Sequence, residues 1–140
     1  MDVKAPVNCT CFNLRKAARA VTQTYDKALK PSGLRATQFS LLRVVAKLGP
    51  VGIKDLAKAL VMDRTTLGRN LKVLSDRELL EIGEGDDRRY RPITITSQGQ
   101  EAIDLAHPLW EQAQTRMANG FGHDRLAGFI DDLGEAVRLA

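Results

Sequence analysis

A chain of 140 residues with 44% apolar residues has room for one hydrophobic core, on the usual scale of about 100 to 200 residues per domain. No apolar run approaches the roughly 18 to 20 residues of a membrane span, and the start lacks a basic segment followed by an apolar one, so a soluble, cytoplasmic chain is expected. The formal net charge is +4, and the surplus is local: residues 35–91 hold 12 Lys/Arg against 8 Asp/Glu, whereas the two flanks together hold 9 of each. That distribution suits a polyanion-facing module set between balanced flanks.

From about Asn8 to Leu29 the residues Phe12, Leu14, Ala17, Ala18, Val21, Tyr25, Ala28 and Leu29 recur at three- and four-residue steps. This predicts a helix, stopped by Pro31-Ser32-Gly33. A second helix is expected from an N-cap at Thr37 to Leu48, with Leu41, Leu42 and Val45 inward and Gly49-Pro50 ending it. Ile53, Leu56, Ala57 and Leu60 predict a short third helix, and Val61-Met62 then lead to Asp63, a suitable cap for a fourth. That fourth helix, from about Arg64 to Asp76, carries Leu67, Leu71 and Leu74 on one stripe. Leu79 to Ile82 and Arg91 to Thr96 flank a polar tip and read as a two-stranded ribbon, with Pro92 pointing to an edge position or a bulge. Ser97 is the expected cap of a long helix bearing Ile103, Ala106, Leu109, Trp110, Ala113 and Met117, closed by Asn119-Gly120 and bent or interrupted by Pro108 near Asp104 to His107. A last helix is expected from about Asp124 to Leu139, with Leu126, Phe129, Ile130, Leu133 and Val137 on one stripe.

Two helices joined at Val61-Met62, the second with an apolar inner stripe and an outer side of Arg64, Thr65, Thr66, Gly68, Arg69 and Lys72, meet the requirements of a helix-turn-helix. Thr65 and Thr66 can hydrogen-bond bases or pack a thymine methyl, Arg69 can read guanine bidentately, and Asn70 can read adenine if it points outward. The alternative for this face is a solvated amphipathic surface. Arg88, Arg89 and Arg91 around the hairpin form a cationic finger for a narrow minor groove or for phosphates, unless they serve solubility alone. Arg89 is the minor-groove candidate, Lys72, Arg88 and Arg91 the phosphate candidates, and Asp87 can orient an arginine through a charge-assisted hydrogen bond.

The order helix, helix, helix, recognition helix, winged hairpin, long helix, last helix resembles the MarR family of bacterial regulators over nearly the whole chain. Asp87-Arg88-Arg89 followed by Ile95-Thr96 and Gly99 matches that family's wing signature, and Leu56-Ala57, Asp63, Thr66, Leu67, Arg69 and Leu74 fall where its pattern expects them. The resemblance implies a mainly α fold: a winged helix-turn-helix lobe over residues 35–97, with an N-terminal helix (1–34) and C-terminal helices (98–140) forming a dimerisation domain. It further implies a homodimer that binds a palindromic operator in double-stranded DNA as a repressor and is released by a small aromatic or apolar effector. Independently, the terminal helices carry more apolar surface than one lobe can cover, which favours a dimer over packing within one chain.

Cys11-Phe12, Leu14, Ala17, Arg19-Ala20, Thr22-Gln23 and Tyr25 are similar to the first helix of the family's organic hydroperoxide-sensing branch. That similarity gives Cys11 the role of the peroxide-reactive thiol and Tyr25 that of its partner, although Arg15 and Ala36 stand where the branch has tyrosines. A place near a helix N-terminus with Arg15 one turn on favours a reactive thiolate; the alternative is a buried, inert small residue. Cys9-Thr10-Cys11 is unlike a zinc site, and His107 and His123 are isolated in the chain, so no metal or other cofactor is expected. Trp110, Phe121 and Phe129 are assigned to the core or a dimer seam, or else to an effector pocket wall. No paired carboxylates, Ser/His/Asp set or phosphate loop suggests an enzyme. The rival from another class is a winged helix that contacts a protein and never DNA.

Overall fold

The computed structural model describes residues 1–85 and 89–140. A 3₁₀ turn (Pro6–Asn8) leads into α1 (Thr10–Leu29), and a second such turn (Lys30–Ser32) leads into α2 (Ala36–Leu48). There follow α3 (Ile53–Leu60), α4 (Arg64–Asp76), β1 (Leu80–Ile82), β2 (Ile93–Ile95), α5 (Ser97–Phe121) and α6 (His123–Leu139). The mainly α class and the two-stranded ribbon are those read from the sequence. None of the helices is long and apolar enough to cross a membrane among the described residues.

The periodic apolar residues of α2, α3 and α4 do what their spacing predicts. Leu41, Leu42, Val45, Leu56, Ala57, Leu67, Leu71 and Leu74 are all buried, and they close one core with Leu80, Ile93, Ile103 and Ala106. Phe39, which the pattern did not single out, is the largest fully buried side chain. The terminal helices differ: residues 9–21 are exposed throughout, and α6 buries Leu126 alone.

The ribbon is antiparallel, with Leu80 opposite Ile95, Glu81 opposite Thr94 and Ile82 opposite Ile93. Ile93 also exchanges both backbone hydrogen bonds with Val51, at 2.8 and 3.1 Å, so β2 is flanked on both sides there. The edge expected at Pro92 is therefore not an open one. The Pro92 carbonyl accepts from Gly83 N (2.8 Å) at the last rung, where only the return donation that proline cannot make is missing.

Three helix-end expectations are corrected, each for a reason beyond local cap rules. α2 starts after Arg35 and not Thr37; an arginine side chain has only donors, so the orphan amides find other acceptors. Gln38 Oε1 accepts from Arg35 N at 3.0 Å, and Asp26 Oδ1, ten residues back on α1, accepts from Ala36 N at 2.7 Å. At α5 the cap is Thr96 and not Ser97: Thr96 Oγ1 accepts from Gly99 N (3.0 Å) while donating to the Glu78 carbonyl (2.6 Å). Gly99 is required beside it, because a Cβ there would overlap the Leu79 carbonyl oxygen. α5 ends at Gly122, with φ +90°, and not at Asn119-Gly120.

Pro108 does not interrupt α5, which runs through it to Phe121. The proline removes its own N–H from the helical ladder, while burial of Ala106 and Ala113 on either side keeps the helix packed.

Candidate nucleic-acid interface

The turn between α3 and α4 is built by the backbone. Val61 has φ +53°, a left-handed conformation unusual for a β-branched residue, and its amide and that of Met62 close α3 on the Lys58 and Ala57 carbonyls. Asp63 then caps α4 as its position predicts: Oδ1 accepts from Thr66 N (2.9 Å) and Oδ2 from Thr66 Oγ1 (2.7 Å). These bonds, the backbone one first, hold the Asp63 carboxyl below its ordinary pKa. They also commit the Thr66 hydroxyl proton, which leaves its lone pairs and methyl for an outside partner.

Leu67, Leu71 and Leu74 anchor the inner side of α4 at no more than 1% exposure, so the opposite side is held rigidly outward. At 3.6 residues per turn, Thr65, Arg69 and Asp76 lie most directly opposite that stripe, with Lys72 and Val73 to either side. Arg64, Thr65, Thr66, Arg69 and Lys72 are all exposed. The Lys72 ammonium is paired with Asp76, 2.9 Å away across one helical turn, an exposed pair that water and salt weaken readily. Asn70 sits on the flank. It lines a cleft towards α2 with Arg35, Thr37, Gln38, Val73 and Leu74, and a neighbouring cavity of about 320 Å³ with Thr22, Ala36, Ser40, Leu60 and Met62 among others. Val73, exposed beside Arg69, is an apolar member of the outer face that a search for polar base-readers passes over.

In the wing, Arg89 and Arg91 are exposed, while Asp87 and Arg88 lie outside the described residues. Sequence reasoning also passed over Tyr90, whose ring stands against Gly52: a Cβ on that glycine would come within 2.9 Å of Tyr90 Cε2. The wing base is thus seated on the loop between α2 and α3.

The remaining candidates fall elsewhere. Cys9 caps α1, its Sγ accepting from Phe12 N at 3.5 Å, and Cys11 follows in the first turn; both are free and exposed, which removes the reading of Cys11 as a buried residue of the single chain. Tyr25 lies fourteen residues on, about 21 Å along the helix, so one chain does not bring the two together. Its hydroxyl donates to Gln114 Oε1 of α5 (2.5 Å), and burial raises its pKa. His107 stacks on Trp110 (5.6 Å) and meets Glu111 (3.0 Å), and His123 opens α6. Trp110 is half-buried against Phe39 with the Arg43 guanidinium 5.0 Å over its ring, whereas Phe121 and Phe129 stack on each other at 5.2 Å.

Comparison with known proteins agrees with this layout. The model of the MarR family matches residues 32–89. The chain is 38% identical to the transcriptional regulator MosR of M. tuberculosis, solved in complex with DNA; the match covers 94% of this chain and 97% of that one, with a TM-score of 0.82. CouR from Rhodococcus jostii RHA1, solved bound to p-coumaroyl-CoA, shares the fold at 24% identity, 93% and 92% coverage and a TM-score of 0.75. The uncharacterised HTH-type transcriptional regulator YwoH of Bacillus subtilis is 24% identical over 88% of this chain and 84% of its own. With a rigid cationic helix face, a wing seated beside it and these relatives, the chain belongs to the MarR family of winged helix-turn-helix proteins, DNA-binding transcriptional regulators and not enzymes.

Proposed function

We propose that the chain is a homodimeric cytoplasmic repressor that lies across a palindromic operator, with one lobe (residues 35–97) on each half-site and residues 1–34 and 98–140 joining the copies. The observation that carries this reading is the outer face of α4, short-chained and cationic over a fully buried inner stripe. Arg69 reads a guanine edge in the major groove, Arg64, Thr65 and Thr66 lie along the same groove, and Val73 packs on a thymine methyl. Asn70 reads adenine only by turning from its cleft. Arg89 enters the minor groove, Lys72 exchanges Asp76 for a phosphate, and Arg91 and Arg88 bind phosphates, with Asp87 orienting an arginine. Two symmetric copies would hold their α4 helices about 34 to 36 Å apart, one turn of duplex.

Fluorescence anisotropy on a duplex selected from a random pool tests the assignment. Arg69→Ala is expected to cost about 1 to 3 kcal/mol of specific affinity and to relax one base position. Arg89→Ala weakens operator binding with dimerisation intact. The wild-type affinity falls with salt by about 0.9 log units per phosphate contact for each log unit of salt. Affinity indifferent to both substitutions and to salt would support the rival protein-binding winged helix.

Release is assigned to a small aromatic or apolar ligand in the 320 Å³ cavity between α1, α2 and α4. Asn70 lines it, so an occupant would bear directly on the recognition helix. The exposure of Cys11 favours a second reading, in which a hydroperoxide oxidises its thiolate to a sulfenic acid and leaves as an alkoxide. In that case Tyr25 is the partner of a thiol on the other copy. Cys11→Ser is then expected to abolish peroxide-driven release of DNA; release that persists in the variant removes this reading.

A further inference from the structure

The start of α2 has only half a cap of its own, the Gln38 Oε1 that accepts from Arg35 N at 3.0 Å. Arg35 occupies the cap position and has no acceptor, so the first amide of the helix, Ala36 N, depends on Asp26 of α1 at 2.7 Å. The bond is charge-assisted, and it sets a carboxylate at the positive end of a thirteen-residue helix. Asp26 is half-buried, which limits competition from water. One residue earlier, Tyr25 bonds Gln114 of α5. Neighbouring side chains of α1 therefore grip α5 and α2 separately. The connector adds little freedom: Ser32 Oγ donates to the Leu29 carbonyl (2.6 Å) and accepts from Leu34 N (3.2 Å), and Gly33 turns the chain with φ +75°. The cavity beside α4 is walled by Thr22, one turn before Asp26, and by Ala36 itself, so it borders this joint.

We propose that Asp26 is a positioning residue for operator recognition: its bond to Ala36 N fixes the angle of the DNA-binding lobe on α1, and so the half-site spacing that two copies accept. The inference rests on the homodimer reading given above. α2 shares one hydrophobic core with α3 and α4, so rotation of the lobe at this joint moves both recognition helices relative to each other.

The test uses the full chain and a palindromic duplex selected by the wild type from a random pool, with the central spacer then lengthened or shortened by one and two base pairs. The wild type is expected to discriminate sharply among spacings. Asp26→Ala reduces that discrimination about tenfold, the scale of a lost hydrogen bond to a charged group, whereas Asp26→Asn, which keeps an acceptor, retains it. Ala36→Pro provides a second route, because it deletes the donor at a first-turn position where proline suits the helix and Arg35 is already extended. It is expected to relax spacing without lowering the melting temperature. Wild-type discrimination in Asp26→Ala or Ala36→Pro, or an equal loss at every spacing, overturns the positioning role alone. A wild type that selects no palindrome overturns the dimer reading, and the inference with it.

Discussion

Two regions of this molecule obey the same helical periodicity and end differently. In residues 34–106 the apolar stripe of each helix finds a partner within the chain, down to Leu42, Leu56, Leu67 and Leu74 at 0% exposure. In α1 and α6 the stripe is just as regular, yet Phe12, Leu14, Val21, Phe129, Ile130 and Val137 remain exposed. Regular spacing in a helix reports that a face will be covered, not by which chain. The closed lobe holds the proposed DNA-reading groups rigidly, and the open helices are the surface on which the proposed dimer depends.

That contrast can be broken most forcefully inside the lobe. Leu71→Ala should cost about 2 to 5 kcal/mol in chemical denaturation at any protein concentration, because it leaves a cavity in a core complete within one chain. In the terminal helices the expected change is of another kind. Phe129→Ser or Ile130→Ser should weaken self-association by about ten- to a hundredfold, the worth of one buried apolar side chain, in sedimentation experiments, while the far-ultraviolet helical signal of the lobe persists. Equal loss of lobe stability would erase the distinction between the regions.

The smallest expected effect sharpens the lobe side. The folded Asp63 carboxyl is held below its ordinary value, so its stabilisation of α4 is complete above the unfolded value of about 3.9 and fades as pH falls through the lower folded value. The Thr66 amide should therefore keep its protection from exchange at neutral pH and lose it in strong acid, and Asp63→Asn should remove that pH dependence. An unchanged acid profile in the variant would contradict the cap assignment.

The parts legible in the sequence are those governed by local rules. The stripes of α2 to α4, the Asp63 cap and the outward Arg69 followed from spacing alone. What was misread depends on contacts distant in the chain: Asp26 serving α2, Thr96 tied to Glu78, Val51 flanking β2 and Tyr90 seated on Gly52. Pro108 does not break α5, which buried Ala106 and Ala113 hold in place on either side. Asn70, a reader of adenine only if it points outward, is exposed on the flank of α4 and lines the cleft towards α2. The separation of Cys11 from Tyr25 along α1 follows from helical rise alone, and it moves any partnership between them to a second copy.

The central claim is that two closed lobes are joined through the open helices onto one duplex. Light scattering of the purified chain, alone and with a selected palindromic duplex, tests it most directly. A dimer in free solution and two chains per duplex in the complex are expected. A monomer in solution that loads one chain per duplex would contradict it.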